Sequence, residues 1–288
     1  MKLQIDHSTR YHYSQPVSFG THRLMIRPLE GHDIQIISSG LNISPACRIR
    51  WMHDVFNNSI AQVTFTESAP ELVIDSQVVV EQFNTNPFDF ELDPTAIEYP
   101  FSYADTEKND IAPYLLRQHP EDDPAILEWV KPFRGIAPRI NTQEFLIALN
   151  RSVPLFFTYN RREEPGVQSP GQTLQSRSGS CRDFALLFIE TARMLGIAAR
   201  FVSGYLAQVS TQAELVAAGA THAWAEVYLP GAGWKGFDPT CGILAAENHV
   251  RVAVARVPSQ AIPVTGSFIG AGNLFSGMKV DVMVRKLS

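Results

Sequence analysis

Cysteine is scarce in this chain of 288 residues: Cys47, Cys181 and Cys241 are the whole supply, and no two are close together. That rules out a disulfide framework and a four-cysteine zinc site, and no Cys-x-x-Cys pair is present. Positive charge is also short. Twenty-four Lys and Arg against 29 Asp and Glu give a net charge of −5, which leaves no basic footprint for nucleic acid and no polybasic patch for a membrane surface. No apolar run reaches the eighteen or so residues that a spanning helix needs, and the start, Met1 to Arg10, lacks the apolar centre of an export signal. The cytoplasm is the expected compartment. Five of the eight histidines fall within the first 53 residues, but without a recurring ligand spacing, so they read as polar strand positions and neither a metal nor another cofactor is expected.

What is present is an ordinary 45 % of hydrophobic residues, enough for two cores, arranged in two styles. Up to about residue 95 the pattern is short alternating strands: Lys2 to Tyr13, His22 to Pro28, Asp33 to Ser44, Ile60 to Thr66 and Leu72 to Gln82. Trp51 to Asn58 serves as a hairpin turn in which Asn57 and Asn58 tolerate left-handed geometry. This predicts an all-β, sandwich-like domain over 1–95. The stretch from Asn84 to Tyr103 is rich in proline and acid and poor in period, as a boundary should be. Residues 96–288 then read as helices followed by strands, an α+β domain. Helices are expected at Thr106–His119, Asp123–Phe133, Thr142–Ser152 and Arg182–Leu195, and closing strands at Val250–Ala255, Val264–Phe268 and Met278–Lys286.

One segment carries chemistry. In Ser178-Gly-Ser-Cys-Arg-Asp-Phe184 a cysteine stands at the start of an apolar helical run. Unpaired backbone N–H groups and the helix dipole favour a thiolate there, by roughly 0.3–1 kcal/mol. Gly179 supplies a flexible turn into the helix.

Such a nucleophile needs a base, and the base an orienting acceptor. His222, Trp224, Glu226 and Tyr228 share one face of an alternating strand, and Asp238 ends the next strand beyond the turn Pro230 to Gly233. A symmetric four-residue loop would put His222 and Asp238 on opposite faces. A triad therefore requires an odd loop or a bulge, with Asp238 opposite Trp224 or His222. Cys241, three residues beyond Asp238, reads as a small buried residue at the strand end.

The three segments together resemble the core of the transglutaminase-like superfamily of papain-type cysteine enzymes, over about Ser152 to Gly242, in the order Cys, His, Asp with a Trp before the Asp. The nearest group is the bacterial one described as cysteine proteases, whose N-terminal β domain the first hundred residues also resemble. The resemblance implies a Cys181–His222–Asp238 triad, a thioester intermediate, and a peptide or other small amide as substrate, hydrolysed or passed to an amine. The segment Ala255 to Ala261 departs from the acidic, aromatic turn usual in that group, which separates substrate preference from the triad. Tyr159 is the candidate second oxyanion donor beside the Cys181 N–H, and Trp224 a candidate wall of the substrate site. The alternative is the same fold kept as a catalytically idle peptide-binding or scaffolding module. Oligomeric state leaves no sequence signal.

Overall fold

The computed structural model describes residues 1–83, 85–135, 138–162, 166–207 and 221–287. Its first element sets the layout of half the molecule. The strand Lys2–Phe19 alternates buried and open side chains, and its eighteen residues are long enough to serve two packing partners. Ala69–Gln82 lies antiparallel on one side of it and Phe275–Leu287 on the other, with Lys2 facing both Glu81 and Leu287. A second sheet runs in the order Val264–Thr265, His22–Leu24, Ser59–Phe65, Cys47–His53. Tyr13, Leu24, Val63, Leu72 and Ile74 fill the space between the two sheets, so the module is a β-sandwich. Asn57 adopts φ 64° in the turn between the last two strands, the left-handed geometry expected of it.

The strand periodicity near the C-terminus was correct in kind and wrong in partner. Val264–Thr265 pairs with His22–Leu24, and Phe275–Leu287 pairs with the first strand, so neither closes the sheet of the α+β part. Two of the early histidines are strand positions, as read, but interior ones. His7 and His22 are buried, and His7 joins Tyr205 Oη at 2.8 Å and Thr9 Oγ1 at 3.0 Å. Burial presses the His7 pKa down to about 4 despite the nearby Asp75 carboxylate, so this imidazole is a neutral bridge between the two halves.

The remainder is α+β. Among the described residues the α-helices are α1 (Asp105–Leu115), α2 (Asp123–Arg134), α3 (Thr142–Phe156), α4 (Pro170–Ser176) and α5 (Cys181–Met194). A five-stranded sheet runs in the order Ile243–Leu244, Gly233–Asp238, His222–Leu229, Ala199–Leu206, His249–Ala255. α1 stops four residues short of the expected His119. Buried Glu190 accepts the backbone N–H groups of Gln118 at 2.8 Å and His119 at 3.0 Å, which draws the chain out of the helix. α4 was not anticipated: seven residues are too few to show a period, although Ser169 caps it and Pro170 opens it.

α5 is buried along nearly its whole length. Ala185, Phe188, Ile189 and Ala192 meet Ala223, Ala225, Val227 and Leu229, the small-residue face of the central strand. Phe188 stacks on Phe237 with ring centroids 5.4 Å apart, and each such buried ring contributes about 2–3 kcal/mol. Elsewhere on the sheet, Tyr205, Val250 and Val252 pack on Leu3, Ile5, Val78 and Val80 of the sandwich. This five-stranded sheet is thus held between α5 and the β-module.

Candidate active site

Cys181 is the first residue of α5, 8 % exposed, with Ser180 as the preceding cap. The entry to the helix is held by Asp183, whose buried carboxylate accepts from Ser180 N–H and Oγ–H, both at 2.8 Å, and from Gln168 N–H at 2.7 Å. Arg162 completes the ring at 2.9 Å. Gly179 is needed for space and not for a flexible turn: a Cβ there would stand 2.9 Å from the Asp183 Cβ and 3.2 Å from the Phe184 ring. The short strand Ser178–Gly179 runs parallel to Thr158–Tyr159 with Gly179 opposite Tyr159, which brings that phenol to the Cys181 end of the helix.

The hairpin meets the parity condition. Leu229 pairs with Gly233 and Ala225 with Phe237, so the loop is Pro230 to Ala232, three residues, and the same register carried one step further sets Asp238 opposite Trp224. Gly231 and Gly233 adopt φ of 83° and 73°, which this tight loop requires. With Asp238 on the His222 face, His222 Nε2 bonds Asp238 Oδ2 at 2.8 Å. Both side chains are fully buried.

Burial alone would lower the His222 pKa, but the Asp238 charge and hydrogen bond outweigh it, and interaction with Cys181 adds to them, so the imidazole is pushed up to about 10. Asp238, which burial would raise, is held far below the usual carboxylate range by His222 and by a second histidine, His249. Nε2 being used on Asp238, Nδ1 of His222 is left buried without a hydrogen-bond partner, available to the sulfur.

Cys181 and His222 open on a cleft of about 730 Å³. Its walls are apolar at Leu186, Phe201, Val257, Ile262, Met278 and Val280, the last two contributed by the C-terminal strand of the sandwich. Tyr159 lines the cleft, and burial followed by the neighbouring Cys181 raises its phenol pKa, so it stays protonated as an O–H donor. Trp224 does not line this cleft. It stacks behind His222, rings 6.0 Å apart and 29° from parallel. It is seated between two glycines of the flanking strands: a Cβ on Gly204 would come within 2.6 Å of its ring, and one on Gly236 within 3.4 Å of Nε1. Glu226, on the same strand face, is tied to Arg200 at 2.7 Å and Arg251 at 3.1 Å. Cys241 is half-buried, its N–H 3.3 Å from Asp238 Oδ1, and burial and the Asp238 charge raise its thiol pKa.

One member of the cluster was missed in the sequence. His249, six per cent exposed, places Nε2 3.1 Å from Asp238 Oδ2. The two Nε2 atoms and that oxygen are grouped within 4.8 Å, a spacing that cation sites also show, but here each polar atom is spent on a hydrogen bond to its neighbour.

Comparison with known proteins agrees with this fold. Residues 134–239 match the model of the transglutaminase-like superfamily, and residues 3–81 that of the bacterial transglutaminase-like N-terminal region. An uncharacterized protein of Mycobacterium tuberculosis H37Rv is 27 % identical over 98 % of this chain and 92 % of its own. An uncharacterized protein of Mycobacterium leprae is 25 % identical over 94 % of each. The crystal structure named "Putative Cysteine Protease" from Cytophaga hutchinsonii superposes with a TM-score of 0.72 at 20 % identity, covering 100 % of this chain and 92 % of that one, which shows the shared fold. Among the described residues no helix is long and apolar enough to cross a membrane.

Proposed function

From a chain that belongs to the transglutaminase-like superfamily, we propose a cysteine-dependent amide hydrolase or acyl transferase acting on a peptide or similar small amide. The observation that carries the reading is His222, clamped through Nε2 to a buried Asp238 and left with an unpartnered Nδ1 beside Cys181 at an apolar-walled cleft.

In this mechanism His222 holds the Cys181 thiolate as an ion pair, and Asp238 fixes the ring and balances its charge. The sulfur attacks the amide carbonyl carbon. The Cys181 N–H and the Tyr159 hydroxyl receive the developing oxyanion. As the C–N bond breaks, Nδ1–H of the imidazolium delivers its proton to the departing nitrogen, and a thioester remains. His222, now neutral, takes a proton from water, the hydroxide displaces sulfur, and the thiolate–imidazolium pair returns. An amine in place of water gives transamidation by the same steps.

The test is the rate at which iodoacetamide modifies Cys181, followed by intact mass and peptide mapping at pH 6. A simple thiol, with a pKa of about 8.5, is almost unreactive there. Rapid labelling that falls about a hundredfold in His222→Ala supports the poised nucleophile. Slow labelling indifferent to that substitution overturns it in favour of an idle binding module.

A further inference from the structure

The conserved logic of a triad asks for one acceptor behind the base, yet Asp238 has more donors around it than that task needs. Its Oδ1 accepts from Thr240 N–H at 2.9 Å and Cys241 N–H at 3.3 Å, and its Oδ2 from His222 at 2.8 Å and His249 at 3.1 Å. A carboxylate offers about four lone-pair sites, so this fully buried one is saturated. Three of the donors come from the hairpin and the turn that follows it. The fourth comes from a separate strand, His249–Ala255, on the far edge of the sheet.

We propose that His249 is a positioning residue of this site: a second imidazole that donates Nε2–H to Asp238 and fixes the carboxylate plane against which His222 is aligned. The inference rests on the assignment of Cys181, His222 and Asp238 above.

The proton assignment follows from the neighbours. Ala246 N–H points at His249 Nδ1 at 3.4 Å, which makes Nδ1 the acceptor and leaves the proton on Nε2, facing Asp238. The ring is held on its other sides too. The edge of Trp224 meets it at 5.2 Å and 75°, and the His222 ring lies 6.2 Å away. Its backbone carbonyl accepts from the buried amide of Gln82 at 2.8 Å, and Gln82 is the last residue of a sandwich strand. The β-module therefore reaches the catalytic carboxylate through a single intermediate residue. The charged or titratable groups facing His249 are Asp238 and His222. Because both imidazoles address the same oxygen, His249 draws off part of the charge that would otherwise act on His222 alone.

That sharing gives a signature which a merely structural histidine lacks. In His249→Phe the ring volume is kept and the donor is lost, so Asp238 becomes a stronger acceptor for His222. His222 should then titrate at a higher pH, its acid dissociation constant falling about three- to tenfold, the effect of one hydrogen bond to a charge. His249→Gln, whose amide nitrogen takes the place of Nε2, should restore the wild-type midpoint. His249→Asn, which carries its donor at the Nδ1 position, should not, and it replaces the Phe variant if that one fails to fold. Long-range ¹H–¹⁵N spectra of the histidine rings follow both the His222 midpoint and the His249 tautomer, with Cys181 alkylation in wild type and His222→Ala run alongside. An Nε2–H tautomer for His249 and a midpoint that moves in Phe or Asn and returns in Gln establish the role. An Nδ1–H tautomer, or a midpoint unmoved in Phe or Asn while alkylation depends on His222, overturns this role alone. Alkylation indifferent to His222→Ala removes the catalytic reading and this role with it.

Discussion

Two carboxylates share one face of the same sheet, and they differ in kind. Glu226 and Asp238 are both buried, and charged neighbours hold both below the usual carboxylate range against the opposing pull of burial. Glu226 is closed by Arg200 and Arg251, and Arg251 extends the network to Asp33. Asp238 is closed by two histidines, and one of them carries an unpartnered nitrogen to a thiol at the edge of a cleft. Burial and a displaced pKa are thus common to scaffolding and chemistry. What separates them is whether the chain of partners ends inside the protein or on an atom left open.

The comparison is broken most sharply at Asp238. Asp238→Asn keeps size and one acceptor oxygen but removes the charge, so only the interaction with Cys181 is left to oppose burial at His222 and its pKa falls from about 10 toward the ordinary value. Cys181-dependent amide turnover, measured once a substrate is found by screening peptide amides, should drop about 10³–10⁴-fold. The stability difference between wild type and this variant also carries a pH signature. A group raised from 6.5 to about 10 on folding contributes fully below 6.5 and loses that contribution as pH rises through about 10. Melting curves of the pair should therefore converge between pH 7 and 10.

Glu226→Gln is the control on the other side. It removes the acceptor charge of Arg200 and leaves Arg251 with Asp33 alone. Because both arginines retain some solvent contact, the loss should be about 2–3 kcal/mol, less than for a fully enclosed pair. Denaturant unfolding should show it as a lower midpoint. Against wild type the gap should stay flat from pH 6 to 10, where the depressed carboxylate stays charged, and iodoacetamide labelling of Cys181 should be unchanged.

How much of this was readable in the sequence depends on how local each determinant is. Cys181 at a helix start, the alternation of His222 to Leu229, and the parity argument that required an odd loop all lie within windows of about twenty residues, and the three-residue loop satisfied the last of them. His249 carried no such local signal. It is only eleven residues beyond Asp238, but it reaches the carboxylate because its strand pairs with Ala199–Leu206 on the opposite side of the sheet, a choice set by tertiary packing. The same limit explains the C-terminal strand. Its alternation marked Met278–Lys286 as extended, within the observed Phe275–Leu287, while its partner, Lys2–Tyr13, is most of the chain away. Gly179 illustrates a third limit: a glycine before a helix reads as a turn, and only the packed structure reveals that the Asp183 side chain fills its missing Cβ.

The finest test asks whether the two carboxylate networks are independent. Trp224 stands between His222 and Glu226 on the strand, stacked on the first and wedged by Gly204 and Gly236 so that neither network can relax toward the other. If the wedge insulates them, Asp238→Asn and Glu226→Gln should add in the double variant, with a coupling energy below about 0.5 kcal/mol in unfolding experiments at pH 7. A coupling of 1 kcal/mol or more would mean that the arginine network feeds the charge balance at Asp238, and the division between scaffold and chemistry would have to be redrawn around all of His222, Trp224 and Glu226. Independence is the expectation because each carboxylate already has its own donors, and a saturated group has little left with which to sense a neighbour.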